Sequence, residues 1–396
     1  MGVLEGIRIL ELARVAPAEL PGMMLADMGA DVLKIDTPLE RPQDSDERRR
    51  AAFVYVNRNK RSLALNLKSP EGQAIFRQLA SSADIIVEGF RPGVMKRLGA
   101  DYETIRELNP RIVYCSLSGF GQSGPYRDLP AHDLNYLSLA GILDLIGEPD
   151  RKPQIPLNLV ADYAGASMHG ALGIMLALFA RERTGQGQHV DVSYLDSSVA
   201  LLAATPNMRF FWSDNLVPRR GAGFLGGGFP CYAVYETSEG RYLTIACVEP
   251  RLWENFCRAI DRLDLVRFSI GPDEFVRAPD RDEVHAREEI QAIIRTKTRD
   301  EWWAILTQAD IAVAKVYDTV EMVSDAQVRA REMVIDVAHP EHGVVRQFGI
   351  PIKLSTTQGS VRRGAPFCGE HTEAVLRELG KSVAQIADLR SRRVVG

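Results

Sequence analysis

Between residues 7 and 117 the chain alternates short apolar runs with stretches of helical period, and this alternation constrains the fold more than any other feature. The runs at 7–10, 32–35, 63–65, 85–87 and 112–117 predict strands. Between them, helical patterns cover about 18–28, 69–79 and 102–108, with Gly29 as the first stop. Strands separated by crossover helices pair in parallel, so the expectation is a mostly parallel sheet with helices on its faces.

The expected fold class is therefore α/β: a Rossmann-like large domain over 1–200, joined by a linker at 201–225 to a smaller α+β domain at 226–320, with 321–396 returning to the large domain. The turn after the first strand reads Leu12-Ala-Arg-Val-Ala-Pro17, without the glycines of a dinucleotide fingerprint, which argues against NAD or FAD. A helix opening near Asp162, with apolar positions Met168, Leu172, Met175, Leu176 and Phe179, runs to Arg183 and is stopped by Thr184-Gly-Gln-Gly187. The small domain begins after a glycine-rich loop at 213–230. It holds a hairpin (231–236 and 242–248), helical patterns at 251–261, 281–296 and 299–307, and a strand at 311–316. The tail carries one helix and then the segment 369–379.

With 45% hydrophobic and 25% charged residues over 396 positions, the chain is globular material with a large core. A net charge of -4 provides no general pull toward nucleic acid or an anionic membrane, and charged runs such as Glu47-Arg-Arg-Arg50 read as solvated surface. Five cysteines without a CxxC pair fit reduced thiols in a cytoplasmic or organellar compartment and disfavour a metal site. The amino terminus lacks a basic region followed by an apolar stretch, and the most apolar run, 171–180, is too short to span a bilayer.

Three ionisable residues stand where chemistry is possible. Asp162 precedes an apolar helix, a place that suits an N-cap and also keeps a carboxylate ionised for use as base or nucleophile. His132 ends the turn-rich loop after Pro130, and Glu249-Pro250 joins a strand to a helix. Read singly, each is an ordinary cap, surface or helix-start residue.

Read together they carry more. The segments Asn57-Arg-Asn-Lys-Arg-Ser62, Glu88-Gly-Phe-Arg-Pro-Gly93, Leu117-Ser-Gly-Phe-Gly-Gln-Ser-Gly-Pro125 and Arg183-Thr-Gly-Gln-Gly-Gln188 resemble the core shared by family III CoA transferases and the racemases related to them. Ala131-His-Asp-Leu-Asn-Tyr136, Asn158-Leu-Val-Ala-Asp162 and Val248-Glu-Pro250 are similar to the α-methylacyl-CoA racemase branch. That resemblance implies two-base proton transfer at the carbon next to a thioester carbonyl, through an enolate, with Asp162 on one face and His132, paired with Glu249, on the other. It implies Asp133, Asn158 and Tyr136 as substrate contacts, and Arg91, Arg58, Lys60 and Ala16 at the coenzyme A end, with Arg61 nearby. Backbone N–H groups at the start of the helix after Asp162 are candidate donors to the enolate oxygen. Coenzyme A would be part of the substrate, with no tightly bound cofactor. The resemblance also implies an interlocked homodimer with Glu249 supplied by the second copy. The transferase branch instead uses the residue matching Asp162 as a nucleophile, through a mixed anhydride and an enzyme-bound CoA thioester, under a mobile glycine loop such as 221–228. Phe229-Pro230 follows that loop here where transferases carry glutamine, and Thr37 stands where racemases often have arginine.

Overall fold

In the computed structural model, which describes residues 2–38, 55–204, 217–271, 277–339 and 343–396, six strands form one sheet: β1 (Arg8–Leu12), β2 (Asp31–Asp36), β3 (Lys60–Ala64), β4 (Ile85–Glu88), β5 (Val113–Ser118) and β6 (His189–Ser193). Their order is β3-β2-β1-β4-β5-β6, and every pairing is parallel. Ile9, Val32, Leu63, Ile85 and Val113 are fully buried, as a sheet covered on both faces requires. Helices α1 (Ala16–Asp27), α2 (Pro70–Ala80) and α3 (Tyr102–Leu108) make the crossovers. The strand order reverses between β1 and β4, so the crevice beyond their carboxyl ends is the place where a doubly wound sheet accepts a ligand.

The third strand begins three residues earlier than expected, at Lys60, and that shift turns the lysine inward. Lys60 Nζ lies 2.8 Å from both Glu11 carboxylate oxygens, 2.7 Å from the Glu19 carbonyl and 2.9 Å from Asn57 Oδ1. Helix α1 lies directly on this pair, since a Cβ at Gly22 would come within 1.9 Å of Glu11 Oε2. β6, β10 (Val334–His339) and β11 (Gly343–Phe348) have no counterpart in the strands read from the sequence.

Helix α4 (Asp133–Leu139) follows β5. The expected helix around Asp162 has two parts: a π-helical segment, Leu159–Ser167, and then α5 (Met168–Thr184), which ends on Gly185 at φ 74°. The stretch Leu159–Thr184 is long and apolar enough by length and composition to cross a membrane, contrary to the expectation from the shorter run. In this structure Gly170, Ala171, Ile174, Ala177 and Leu178 are its buried side, and Gly170 abuts Leu117 of β5.

Contacts divide the chain into two units, Met1–Leu137 with Leu157–Ser198 and Ala326–Gly396, and Ser138–Pro156 with Val199–Asp325. The second is built on an antiparallel sheet of β7 (Tyr232–Glu236), β8 (Tyr242–Ala246) and β9 (Val313–Lys315). Helices α6 (Pro250–Ala259), α7 (Arg281–Ile294) and α8 (Arg299–Thr307) accompany it, the last two opened by capping boxes at Asp280/Glu283 and Thr298/Glu301. Trp253, Phe256 and Trp302 fill its core. Residues 205–216 of the expected linker and the charged run at 47–50 lie outside the described residues.

Candidate active site

Asp162 does not cap a helix. It is the fourth residue of the π-helical segment, whose N-cap is Asn158. Single π turns of this kind recur at functional sites because the wider ring displaces a side chain from the regular spiral. The Ser167 hydroxyl sits between the carbonyls of Pro17 and Asp162, at 2.6 and 2.9 Å, and so ties the start of α1 to the segment. Asn158 Nδ2 donates to Asp162 Oδ2 at 3.1 Å.

The cap comes from elsewhere. Asp133, buried at the first position of α4, accepts the backbone N–H groups of Ala161 and Asp162 on Oδ2, at 3.0 and 2.9 Å. Those two N–H groups are therefore occupied and are not free donors for an enolate oxygen. Asp133 Oδ1 is buried without a hydrogen-bond partner among the described residues. His132 immediately precedes α4 and is exposed; its N–H donates to Asn135 Oδ1 at 3.0 Å and its carbonyl accepts the Asn135 N–H at 2.8 Å, so its backbone is held from both sides.

Burial raises the Asp162 carboxyl above the ordinary value, the Asp133 charge raises it further, and the Asn158 hydrogen bond and His132 lower it. A half-buried carboxylate of raised basicity beside an exposed imidazole can exchange protons with one small carbon acid. Tyr136 contributes differently from the expectation of a substrate contact. It is buried, its hydroxyl donates to the Ala131 carbonyl at 2.9 Å, and its ring stacks on Tyr194 at 5.2 Å. It supports the turn that presents His132. The glycine of Leu117-Ser-Gly119 leaves room for it, since a Cβ there would lie 2.7 Å from the Tyr136 hydroxyl.

Glu249 belongs to the second unit, exposed at the N-cap of α6 with no side-chain cap bond. In the same unit the glycine run is tied down in part: Gly223 N–H donates to the Arg277 carbonyl at 3.0 Å, and a Cβ at Gly221 would lie 2.4 Å from Pro149.

The expected coenzyme contacts divide. Arg58 and Lys60 are corrected: both are buried, with Arg58 forked onto Asp27 and bonded to the Phe348 carbonyl and Lys60 saturated by four oxygens, so both are committed inside the fold and not presented to a phosphate. Arg61 pairs with Asp31 and Glu378, both at 2.8 Å. Ala16 is the first residue of α1 and Arg91 stands in the turn after β4, beyond the carboxyl ends of β1 and β4. Arg91 is exposed and its guanidinium makes no hydrogen bond or ion pair among the described residues. Arg14 and Phe90 stand beside them: Arg14 bonds the Thr37 hydroxyl and lies over the Phe90 ring, 5.7 Å from its centroid. Their signal in the sequence was position alone, directly after the ends of β1 and β4.

The model of CoA-transferase family III matches residues 4–372. The chain belongs to this family. Among its family relatives, α-methylacyl-CoA racemase of Homo sapiens is 34% identical, over 99% of this chain and 97% of the relative. The β subunit of succinyl-CoA–L-malate CoA-transferase of Chloroflexus aurantiacus is 32% identical over 99% and 98%. A crystal structure of a CAIB/BAIF family protein from Brucella suis superposes with a TM-score of 0.80 at 29% identity, covering 96% of this chain and 99% of that one. Family III thus embraces relatives of both chemistries at nearly equal distance from this chain.

Proposed function

We propose that this chain racemises or epimerises the α-carbon of a 2-methylacyl-CoA thioester. The observation that carries the reading is the pairing of exposed His132 with half-buried Asp162, the two bases that proton transfer on opposite faces needs. Asp162 and His132 each remove or return the α-proton, and Glu249 of a second copy of the chain is the proposed partner of His132. Asn158 holds one Asp162 oxygen, leaving the other for the substrate. The free Oδ1 of Asp133 is an acceptor for a substrate N–H, such as an amide of the pantetheine arm. Arg91 and Arg14, with the start of α1 at Ala16, receive the phosphates at the switch point. The active form is a homodimer, a reading supported by the exposed apolar side of α5.

The test is incubation of a 2-methylacyl-CoA in deuterated water. Incorporation of deuterium at the α-carbon with loss of optical purity is expected, and its absence across a range of such thioesters removes the reading. CoA transfer between carboxylic acids is the second reading, favoured by transferase relatives at 32–33% identity over nearly the whole chain. There Asp162 is the nucleophile, and hydroxylamine trapping of an acylated Asp162 during turnover distinguishes it.

A further inference from the structure

Glu88, the last residue of β4, is 4% exposed and has no part in the proton transfers above. Its Oε2 accepts the Phe90 N–H at 2.8 Å and so closes the turn 89–93. Ser116 is its register partner on β5, with a hydroxyl that favours the ionised carboxylate and lies 3.0 Å from His189 Nε2. His189 is stacked on Tyr102 at 5.2 Å. The turn carries the two features that the acyl-CoA reading assigns to the phosphates: the Phe90 ring beneath Arg14, and Arg91.

We propose that Glu88 is a positioning residue for the coenzyme A end of the substrate: its ionised carboxylate fixes the 89–93 turn, and through that turn Arg91 and Arg14. The inference rests on the acyl-CoA reading above. Burial pushes the Glu88 carboxyl up to about 7, Asp191 raises it too, and the Ser116 hydroxyl and Phe90 N–H lower it. Around it stand Leu12 on β1, Tyr114, Cys115 and Ser116 on β5, and His189 and Asp191 on β6, with Tyr102 and Glu103 of α3 beyond His189. None of the groups that act on Glu88 among the described residues is a cation. Its charge is held by hydrogen bonds alone and is lost as pH falls through neutrality. A hydrogen bond to an ionised group is roughly twice as strong as a neutral one, so protonation loosens the turn.

The experiment is calorimetric titration of the full chain and of Glu88→Gln with coenzyme A at pH 6, 7 and 8. The phosphomonoester of coenzyme A also titrates, near 6, but equally against both proteins, so the ratio of their affinities is the readout. The expected ratio is about fivefold in favour of wild type at pH 8, falling to unity at pH 6. A ratio that stays constant across this range overturns the inference. If Glu88→Gln does not fold, Ser116→Ala replaces it: losing a bond that favours the ionised form must move the wild-type pH midpoint upward, and an unmoved midpoint is equally fatal. Wild type that binds no coenzyme A at any pH removes the acyl-CoA reading itself, and this inference with it.

Discussion

Asp133 Oδ2 accepts the backbone N–H of Asp162 at 2.9 Å, so one acid of the site holds the peptide of the other. The same oxygen takes the Ala161 N–H at 3.0 Å. Asp133→Ala would bury two N–H groups without acceptors, at about 1–3 kcal/mol each. It would also free the segment that aims Asp162, and a displacement on the order of 1 Å is worth about 10²-fold in rate. Asp133→Asn keeps an acceptor at this position. The expectation is a large loss of stability and turnover for alanine and recovery of most of the stability for asparagine, measured by urea unfolding and by α-proton exchange. Equal stabilities for the two variants would show that the capping bond is unimportant.

Asp162 should trade stability for reactivity. A carboxyl whose folded-state pKa is raised contributes stability fully below its unfolded value and loses it as pH rises through the folded one. Asp162 is raised, by burial first and also by the Asp133 charge, so its ionised form is costly at neutral pH. Asp162→Asn is therefore expected to raise the thermal midpoint at pH 7, with the gain shrinking toward acid pH. Proton exchange should fall about 10²–10⁴-fold. A lower midpoint at pH 7 would contradict this assignment.

The strands most legible in the sequence are those buried on both faces, because such a strand must be apolar nearly throughout. The run 85–87 and observed β4 illustrate this. β6 lies at the sheet edge and reads His189-Val-Asp-Val-Ser193, a mix of polar and apolar residues that gives a weaker strand signal. The candidates His132, Asp133, Asn158 and Asp162 are legible as a set from motifs, but the contacts they make in the fold are not. That Asp133 would cap a helix 28 residues away, or that Lys60 would meet Glu11 across 49 residues, follows only from the folded topology. The π-helical spacing around Asp162 likewise has no periodic signature that separates it from an ordinary helix start.

Lys60 should behave as a structural residue and not as a coenzyme ligand. Lys60→Met leaves Glu11 wholly buried without its nearest counter-charge, a loss of about 3–5 kcal/mol. Glu11 already stands at about 7 through burial, and removing the lysine, whose charge lowers it, drives it higher. A carboxyl so raised is stabilising in its protonated form, so the deficit of Lys60→Met should shrink as pH falls from 8 to 6. The double variant with Glu11→Gln should recover much of the loss. Urea unfolding across this pH range checks both statements. Coenzyme A affinity of the folded Lys60→Met protein should match wild type, and a selective tenfold loss would restore Lys60 to the binding site.

Helix α5 turns its more apolar side outward. Leu172, Leu176 and Phe179 are 55%, 60% and 59% exposed, while the buried side carries Gly170, Ala171 and Ala177 beside Ile174 and Leu178. Small residues on the inner side let the helix approach β5 closely, as the contact of Gly170 with Leu117 requires. Large ones on the outer side have no such function within a single chain. Exposed apolar patches of this kind mark protein–protein or membrane contacts, and the proposed partner is a second copy of this chain. Wild type is expected to run as a dimer by light scattering. Leu172→Glu with Leu176→Glu, charges that cost nothing at a solvated face but are severe at a desolvated one, should shift the protein to monomer. A wild type that is monomeric at all concentrations, or a double variant that remains dimeric, would place the interface elsewhere or remove it.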